Sequence, residues 1–305
     1  MMGRYQRRSP EIDEMMVEAY VSGVSQRKMA DFTEALMGER VGRSTVSRVA
    51  KRLDEAVQEL REAPIEGPHP YLYLDATFLD ARWARKVENV SALVAYAVGP
   101  DGHRTLLGLT LGYEESEDSW SELLAQLLER GLSGVGLVIA DEHAGLGAAV
   151  RKLLPEARRQ RCTVHLQRNV GAKVPHRLRK RVAREVSALF QAPGLTEAKK
   201  LLADFKARWT KELPEAVAVL ERGFPAATQF YAFPEAHWPR LRTTNGLERL
   251  HGEIKRRIKA AGAFPDRASA LRLVTAVAIK TTTIWGDRRY LDLSLLETQE
   301  VAKAA

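Results

Sequence analysis

The stretch from Ala63 to Pro70 (APIEGPHP) carries three prolines and a glycine, a spacing that neither a helix interior nor a central strand accepts. The chain of 305 residues therefore divides there, into a head over residues 1–63, a linker over 64–70 and a longer body. In the head, Ser9-Pro10 fits the cap and first turn of one helix. Ser25 fits the cap of a second, and Ser44 that of a third running to about Leu60. Gly38 and Gly42 punctuate the second and third. Two readings stand: a helix-turn-helix whose last helix presents Arg43, Ser44, Thr45 and Arg48 to a DNA major groove, or a plain three-helix packing unit.

Three β-type runs follow, Tyr71 to Asp80, Val90 to Val98 and Thr105 to Gly112, the last two joined by the hairpin signal Gly99-Pro100-Asp101-Gly102. They predict an antiparallel meander. Helical spacing over Ser119 to Gly131 precedes a short apolar run, Gly136 to Ala140, suited to a buried parallel strand. A helix over about Leu146 to Leu154 and a strand near Gln160 to Val164 complete the order β-β-β-α-β-α-β, a mixed α/β sheet over 71–165. Residues 166–239 read as an all-α insertion broken at Pro175, Pro193-Gly194 and Pro214, and 240–305 as a C-terminal helical part whose first helix starts near Thr243 or Thr244.

Two aspartates stand out in that sheet. Asp75 lies mid-strand in YLYLDATFLD, where an ionised side chain is costly unless paired or bound to metal. Asp141 ends GLVIAD, at the carboxyl end of a parallel strand, where open α/β sheets gather their chemistry. Side by side, the two charges repel, and a divalent metal with a preference for hard oxygen ligands, Mg²⁺, resolves that repulsion. The candidate for a third carboxylate is Glu248, on the helix that follows Thr244. Competing acids are placed elsewhere by periodicity: Asp80 on the opposite strand face, Glu142 beyond the strand end, and Glu253 roughly 140° around the helix from Glu248.

The chain is basic, with 47 Lys+Arg against 39 Asp+Glu and a net charge of +8, which favours a polyanionic partner. The excess is local. Residues 158–184 contain ten Lys or Arg, among them Arg158, Arg159, Arg161, Arg168 and Lys173, and no Asp or Glu, so they read as a phosphate track. Arg249, Lys255 and Arg256 add charge beside Glu248, and Trp209 and Trp238 are candidates for base stacking or for core packing. The single cysteine, Cys162, excludes an intrachain disulfide, and the longest uncharged run, Asn89 to Pro100, is too short for a bilayer. A cytoplasmic protein without a membrane partner is expected.

Four stretches, YLYLDATFLDAR, LVIADEHAGLGAAVRKLLPEARRQRCTVHLQRNV, TTNGLERLHGEIKRR and GAFPDRASALRLV, set between RYQRRSPEIDE near the start and WGDRRYLDL near the end, resemble the Mutator-like transposases. That superfamily includes a large group of bacterial insertion-sequence enzymes. The resemblance implies a ribonuclease-H-like mixed sheet with an all-α insertion, preceded by the helix-turn-helix-like head. It implies a DDE triad of Asp75, Asp141 and Glu248 that binds Mg²⁺, with Mn²⁺ as a substitute. The expected reaction is hydrolytic cleavage at transposon ends followed by strand transfer of a 3′-hydroxyl to target DNA. The expected partners are terminal inverted repeats, target DNA and further copies of the chain, because two ends are processed together. A family Cys-x-x-His pair falls on Cys162 and His165; a closed zinc site needs four ligands, so packing or DNA positioning is the preferred role.

Members of the bacterial group commonly carry a longer region before the RYQRRSPEIDE-like segment, so part of the repeat-binding apparatus is expected to be absent from this chain. Two other classes stay open on the residues: a non-catalytic DNA-binding regulator and a structure-selective nuclease.

Overall fold

The computed structural model describes residues 10–296 apart from 39, 84, 85, 113, 262, 263 and 265. The expected meander forms: β1 (Tyr71–Trp83), β2 (Lys86–Val98) and β3 (Arg104–Gly112) pair antiparallel in succession. The turn between β2 and β3 closes through Gly99 N donating to His103 O at 2.8 Å and Gly102 N to Gly99 O at 2.9 Å. Gly102 adopts φ +80°, and a Cβ there would lie 2.1 Å from Leu291 O, so both conformation and space demand glycine.

On the other side of β1, β4 (Leu137–Ala140) and then β5 (Arg158–Arg161) run parallel to it. The result is a five-stranded mixed sheet in the order β3-β2-β1-β4-β5. The connections are α5 (Glu117–Glu129), capped by Ser116, and α6 (Ala144–Leu153), capped by His143. The fifth strand corrects one expectation. It ends at Arg161, and Thr163 already opens the next helix, because RRQR is held by its backbone ladder to β4 rather than by apolar alternation.

Strand alternation separates two cores. Leu72, Leu74, Val138 and Ala140 face Trp120, Leu123, Leu127 and Val150 of α5 and α6. Tyr71, Tyr73, Leu137 and Ile139 face the other way, into a larger cluster with the helices that follow β5. Those helices are α7 (Thr163–Ala172), α8 (His176–Leu189), α9 (Leu195–Trp209), α10 (Pro214–Ala227), the short α11 (Trp238–Leu241), α12 (Asn245–Ala261) and α13 (Arg267–Thr282). Leu247, Leu250, Ile254 and Ile258 give α12 its buried stripe on this face. Each fully buried side chain of that size contributes about 1.5–3 kcal/mol.

The head contains α1 (Pro10–Val21), α2 (Gln26–Met37), α3 (Arg43–Ala50) and α4 (Leu53–Glu62). Ser25 caps α2 through Lys28 N, and Gly38 ends it in the left-handed region; Ser9 lies outside the described residues. Ser44, by contrast, is not a cap. Gly42 holds that position without a side-chain bond, and the expected single helix breaks at Lys51-Arg52 into α3 and α4. The proline-rich segment after α4 lies against the body, with Ile65 N donating to Arg130 O at 2.7 Å. Arg272 of α13 grips Asp54 of α4 through two bonds of 2.6 and 2.9 Å.

Candidate active site

The register of the parallel pair sets the site. Tyr71 pairs with Leu137, Leu72 with Val138 and Tyr73 with Ile139; Asp75 lies two residues further along β1 and Asp141 just past the end of β4, near enough for their charges to act on one another. Both continue the face that Tyr73 and Ile139 present to the α12 side of the sheet, and α12 packs on β1. An aspartate within β1 and another just past the end of β4 thus come together on the side of the sheet that α12 covers.

Their surroundings differ. The Asp75 side chain is 11% exposed and Asp141 39%. Burial pushes the Asp75 carboxyl up to about 7, with His165 and the Ala76 amide pulling the other way and Asp141 and Glu115 adding to the rise. Its Oδ1 accepts from Ala76 N at 3.0 Å, and Oδ2 lies 3.6 Å from His251 Nδ1. Asp141 Oδ1 accepts from Glu142 N at 2.7 Å, and its Oδ2 lies 3.9 Å from His165 Nδ1. Glu248 faces elsewhere: Oε1 accepts from Arg168 Nη2 of α7 at 2.6 Å.

The donor chemistry of the two aspartates, hard carboxylate oxygens on adjacent strands, suits Mg²⁺. Glu248 offers the same chemistry, with one of its two oxygens held by Arg168. No three His, Cys, Asp or Glu side chains converge on a metal position among the described residues.

Sequence reasoning passed over three neighbours of this site. His251 is buried three residues after Glu248, and its Nε2 has no hydrogen-bond partner; burial, with Lys255 and His165 nearby, pushes it down to about 4. The i, i+3 spacing on one helix was its signal. Glu115 accepts from Trp120 Nε1 at 3.2 Å and lies 3.6 Å from His143 Nδ1. Arg168 stood in the basic track, but its bond to Glu248 had no sequence mark.

Cys162 and His165 flank the start of α7. The buried Cys162 Sγ accepts from Thr244 N and Thr244 Oγ1, each at 3.5 Å, so it ties α7 to the residue before α12. Burial raises the thiol, but bonds to His165 and Thr244 outweigh it and leave the thiol lowered. His165 is pushed up to about 9 by that bond to Cys162, against burial, with the two aspartates adding to the rise.

The other basic residues lie in varied settings. Ser44 and Arg48 are exposed and Thr45 half-buried on α3, with Arg48 Nη2 3.4 Å from Thr45 Oγ1; the Arg43 side chain lies outside the described residues, as does that of Asp80. Arg158 is exposed and bonds Gln229, and Arg159 is half-buried beside Gly147. Arg161 is 6% exposed and paired with Glu142 at 2.5 Å, Lys173 pairs with Glu215 at 2.9 Å, and Arg256 with Glu253 at 2.8 Å. Arg249 and Lys255 are exposed. Trp209 is buried with its Nε1 donating to Glu185, and Trp238 Nε1 donates to Phe233 O, so both serve packing. No helix among the described residues is long and apolar enough to cross a membrane.

Comparison with known proteins adds a family. The family described as "Transposase, Mutator family" matches residues 1–287. The transposase for insertion sequence element IS406 of Burkholderia multivorans is 42% identical over 273 residues, spanning 88% of this chain and 70% of its own length. That of ISRM5 from Rhizobium meliloti is 37% identical over 95% of this chain and 73% of its own length. That of IS256 in transposon Tn4001 from Staphylococcus aureus is 35% identical, over 95% and 75% respectively.

Proposed function

Because the chain belongs to the Mutator family of transposases, we propose that it cuts DNA at the ends of an insertion sequence and joins the freed ends to target DNA, using Asp75, Asp141 and Glu248 as a DDE triad for Mg²⁺ or Mn²⁺. The observation that carries this reading is the parallel β1–β4 pair, which brings Asp75 of β1 and Asp141, just past the end of β4, within electrostatic reach of one another. The strand order β3-β2-β1-β4-β5, with three antiparallel strands followed by two parallel ones, supports a ribonuclease-H-like core. A divalent metal, when bound, supplies Lewis-acid stabilisation of the attacking and leaving oxygens of a phosphodiester.

The chain's own residues do the rest. Asp75, sunk beneath α12, and Asp141, at the solvent edge, offer carboxylate oxygens from two sides of one position. Glu248 completes the set by swinging from Arg168, which is thereby released toward DNA phosphate. In the first step a water oxygen bonds to phosphorus and the 3′ oxygen departs as a hydroxyl. In the second, that 3′ oxygen bonds to a target phosphorus while the target's own 3′ oxygen departs as a hydroxyl, without any covalent link to protein. Exposed Ser44 and Arg48 on α3 are suited to reading terminal repeats, and two ends processed together call for an oligomer of this chain.

Incubation with duplexes from the two ends of the element and Mg²⁺ tests the proposal. Strand cleavage and joining by the wild type, lost in Asp141→Asn, is the expected result; equal products from both proteins overturn the triad. Salt-sensitive binding without cutting under any divalent metal instead identifies a DNA-binding regulator. Cutting of branched or hybrid substrates without terminal preference identifies a structure-selective nuclease.

A further inference from the structure

A second cationic recess lies around α12 from Glu248. Arg249, Glu253 and Arg257 stand four residues apart along that helix, roughly 100°, 140° and 180° around it from Glu248 at 3.6 residues per turn. They line a cavity of about 370 Å³ whose other walls include Arg104 at the start of β3, Lys280 of α13 and Trp285 in the turn after it. A pocket of this size suits a small ligand or one unit of a polymer rather than a base pair.

Arg104 is the distinctive group. Its guanidinium carbon lies 4.4 Å from the ring centroids of both Trp285 and Tyr290, so two aromatic rings fix its plane. Its Nε is buried with no hydrogen-bond partner. A buried donor left unpaired is costly, more so on a charged group, and a ligand oxygen would offset that cost. Arg104 and Arg249 make no ion pair among the described residues. Arg257 reaches Glu253 only at 3.7 Å, while Glu253 also holds Arg256 at 2.8 Å; Lys280 pairs with Glu18. Four cations of the recess thus face two carboxylates, Glu253 and Glu18. A planar, pre-oriented guanidinium beside a second free one matches the oxygens of a phosphate.

We propose that this recess seats one sugar–phosphate unit of the DNA strand passing over α12 toward Glu248, with Arg104 and Arg249 donating to its phosphate. The identity of the strand rests on the DNA-cutting reading above; the existence of a phosphate seat does not. Because the seat and Glu248 occupy neighbouring stripes of one helix, a phosphate held here fixes where the strand meets the carboxylates.

The test is binding of a fluorescein-labelled duplex of mixed sequence to the full chain, without divalent metal, across a salt series. Each phosphate contact contributes about 0.9 to the slope of log affinity against log salt. Arg104→Gln and Arg249→Gln should each lower the slope by about that amount and weaken low-salt binding severalfold. Lys200→Gln, on the exposed side of α9 and paired with Glu197, should leave both unchanged. Arg249 is exposed, so its variant keeps the test valid if Arg104→Gln fails to fold. Unchanged slopes in folded variants, with no saturable nucleotide binding, overturn the seat. Deoxythymidine monophosphate, titrated separately, distinguishes a free nucleotide: saturable binding lost in Arg104→Gln, with duplex slopes unchanged, overturns the strand assignment. Lowered slopes in a protein that never cuts DNA leave the seat standing and sink the catalytic reading; cutting with unchanged slopes does the reverse.

Discussion

Glu248 Oε1 accepts a 2.6 Å hydrogen bond from Arg168 Nη2, and this one contact commits an oxygen of the third carboxylate to α7. The bond joins α7 to α12. Metal binding by all three acids competes with it for that oxygen.

Removing the guanidinium should therefore help the metal. Both side chains are partly exposed, at 59% and 38%, so the pair is worth about 0.2–1 kcal/mol. Arg168→Gln should tighten Mn²⁺ binding by at most about fivefold, read by isothermal titration without DNA, and Arg168→Lys should fall between it and the wild type. Weaker binding in Arg168→Gln would show that the arginine supports the metal-competent state instead.

The triad makes a sharper prediction. Asp75→Asn, Asp141→Asn and Glu248→Gln should each cut the rate of end cleavage by more than the roughly 10–100-fold that loss of an outer partner of a metal ligand typically costs. Circular dichroism spectra should remain those of the wild type. Asp204→Asn, exposed on α9, should cleave normally. Glu248→Gln with undiminished cleavage would remove the glutamate from the triad while leaving the two aspartates untouched.

That difference follows how each residue was legible. Asp75 is a charge within an apolar alternating run and Asp141 closes a short apolar one, so strand physics alone marks both; the register then unites them. Glu248 sits on a helix with acids and bases in several directions, and only the family motif singled it out. Its bond to Arg168 spans 80 positions and depends on how the helical insertion docks, which periodicity does not report. The two errors of boundary share a cause. At Ser44 and in RRQR, polar residues carry the element through backbone bonds, so neither an apolar stripe nor an alternation marked where it began or ended.

Cys162 should prove a structural tie. Its Sγ receives both donors of Thr244, which fixes the start of α12, the helix that carries Glu248. Cys162→Ala leaves two buried donors short of a partner, at a cost of about 1–3 kcal/mol. At about 2–4 °C per kcal/mol for a chain of this class, the melting temperature should fall by a few degrees, with cleavage reduced in step. Metal analysis of the purified wild type should find no stoichiometric zinc. One zinc per chain, lost on substitution, would overturn this role.

His237 predicts how the fold responds to acid. It is 1% exposed. Its Nε2 lies 2.9 Å from Asp292 O, a carbonyl that can only accept, so Nε2 carries the proton and Nδ1 accepts from Tyr71 Oη at 2.8 Å. The neutral ring thereby joins β1, the turn before α11 and the C-terminal segment. Burial lowers its pKa below the usual 6.5, against the pull of Asp292. A histidine depressed in the folded state contributes stability that is complete above its unfolded pKa and is lost as pH falls from about 6.5 toward the folded value. Protonation at Nδ1 would also set its new proton against that of Tyr71. Urea unfolding should therefore show lower stability at pH 5.5 than at pH 7.5, and His237→Gln, which keeps polar atoms but does not titrate, should shrink that difference while lowering stability at both. An unchanged pH difference in the variant would assign the acid sensitivity to other groups.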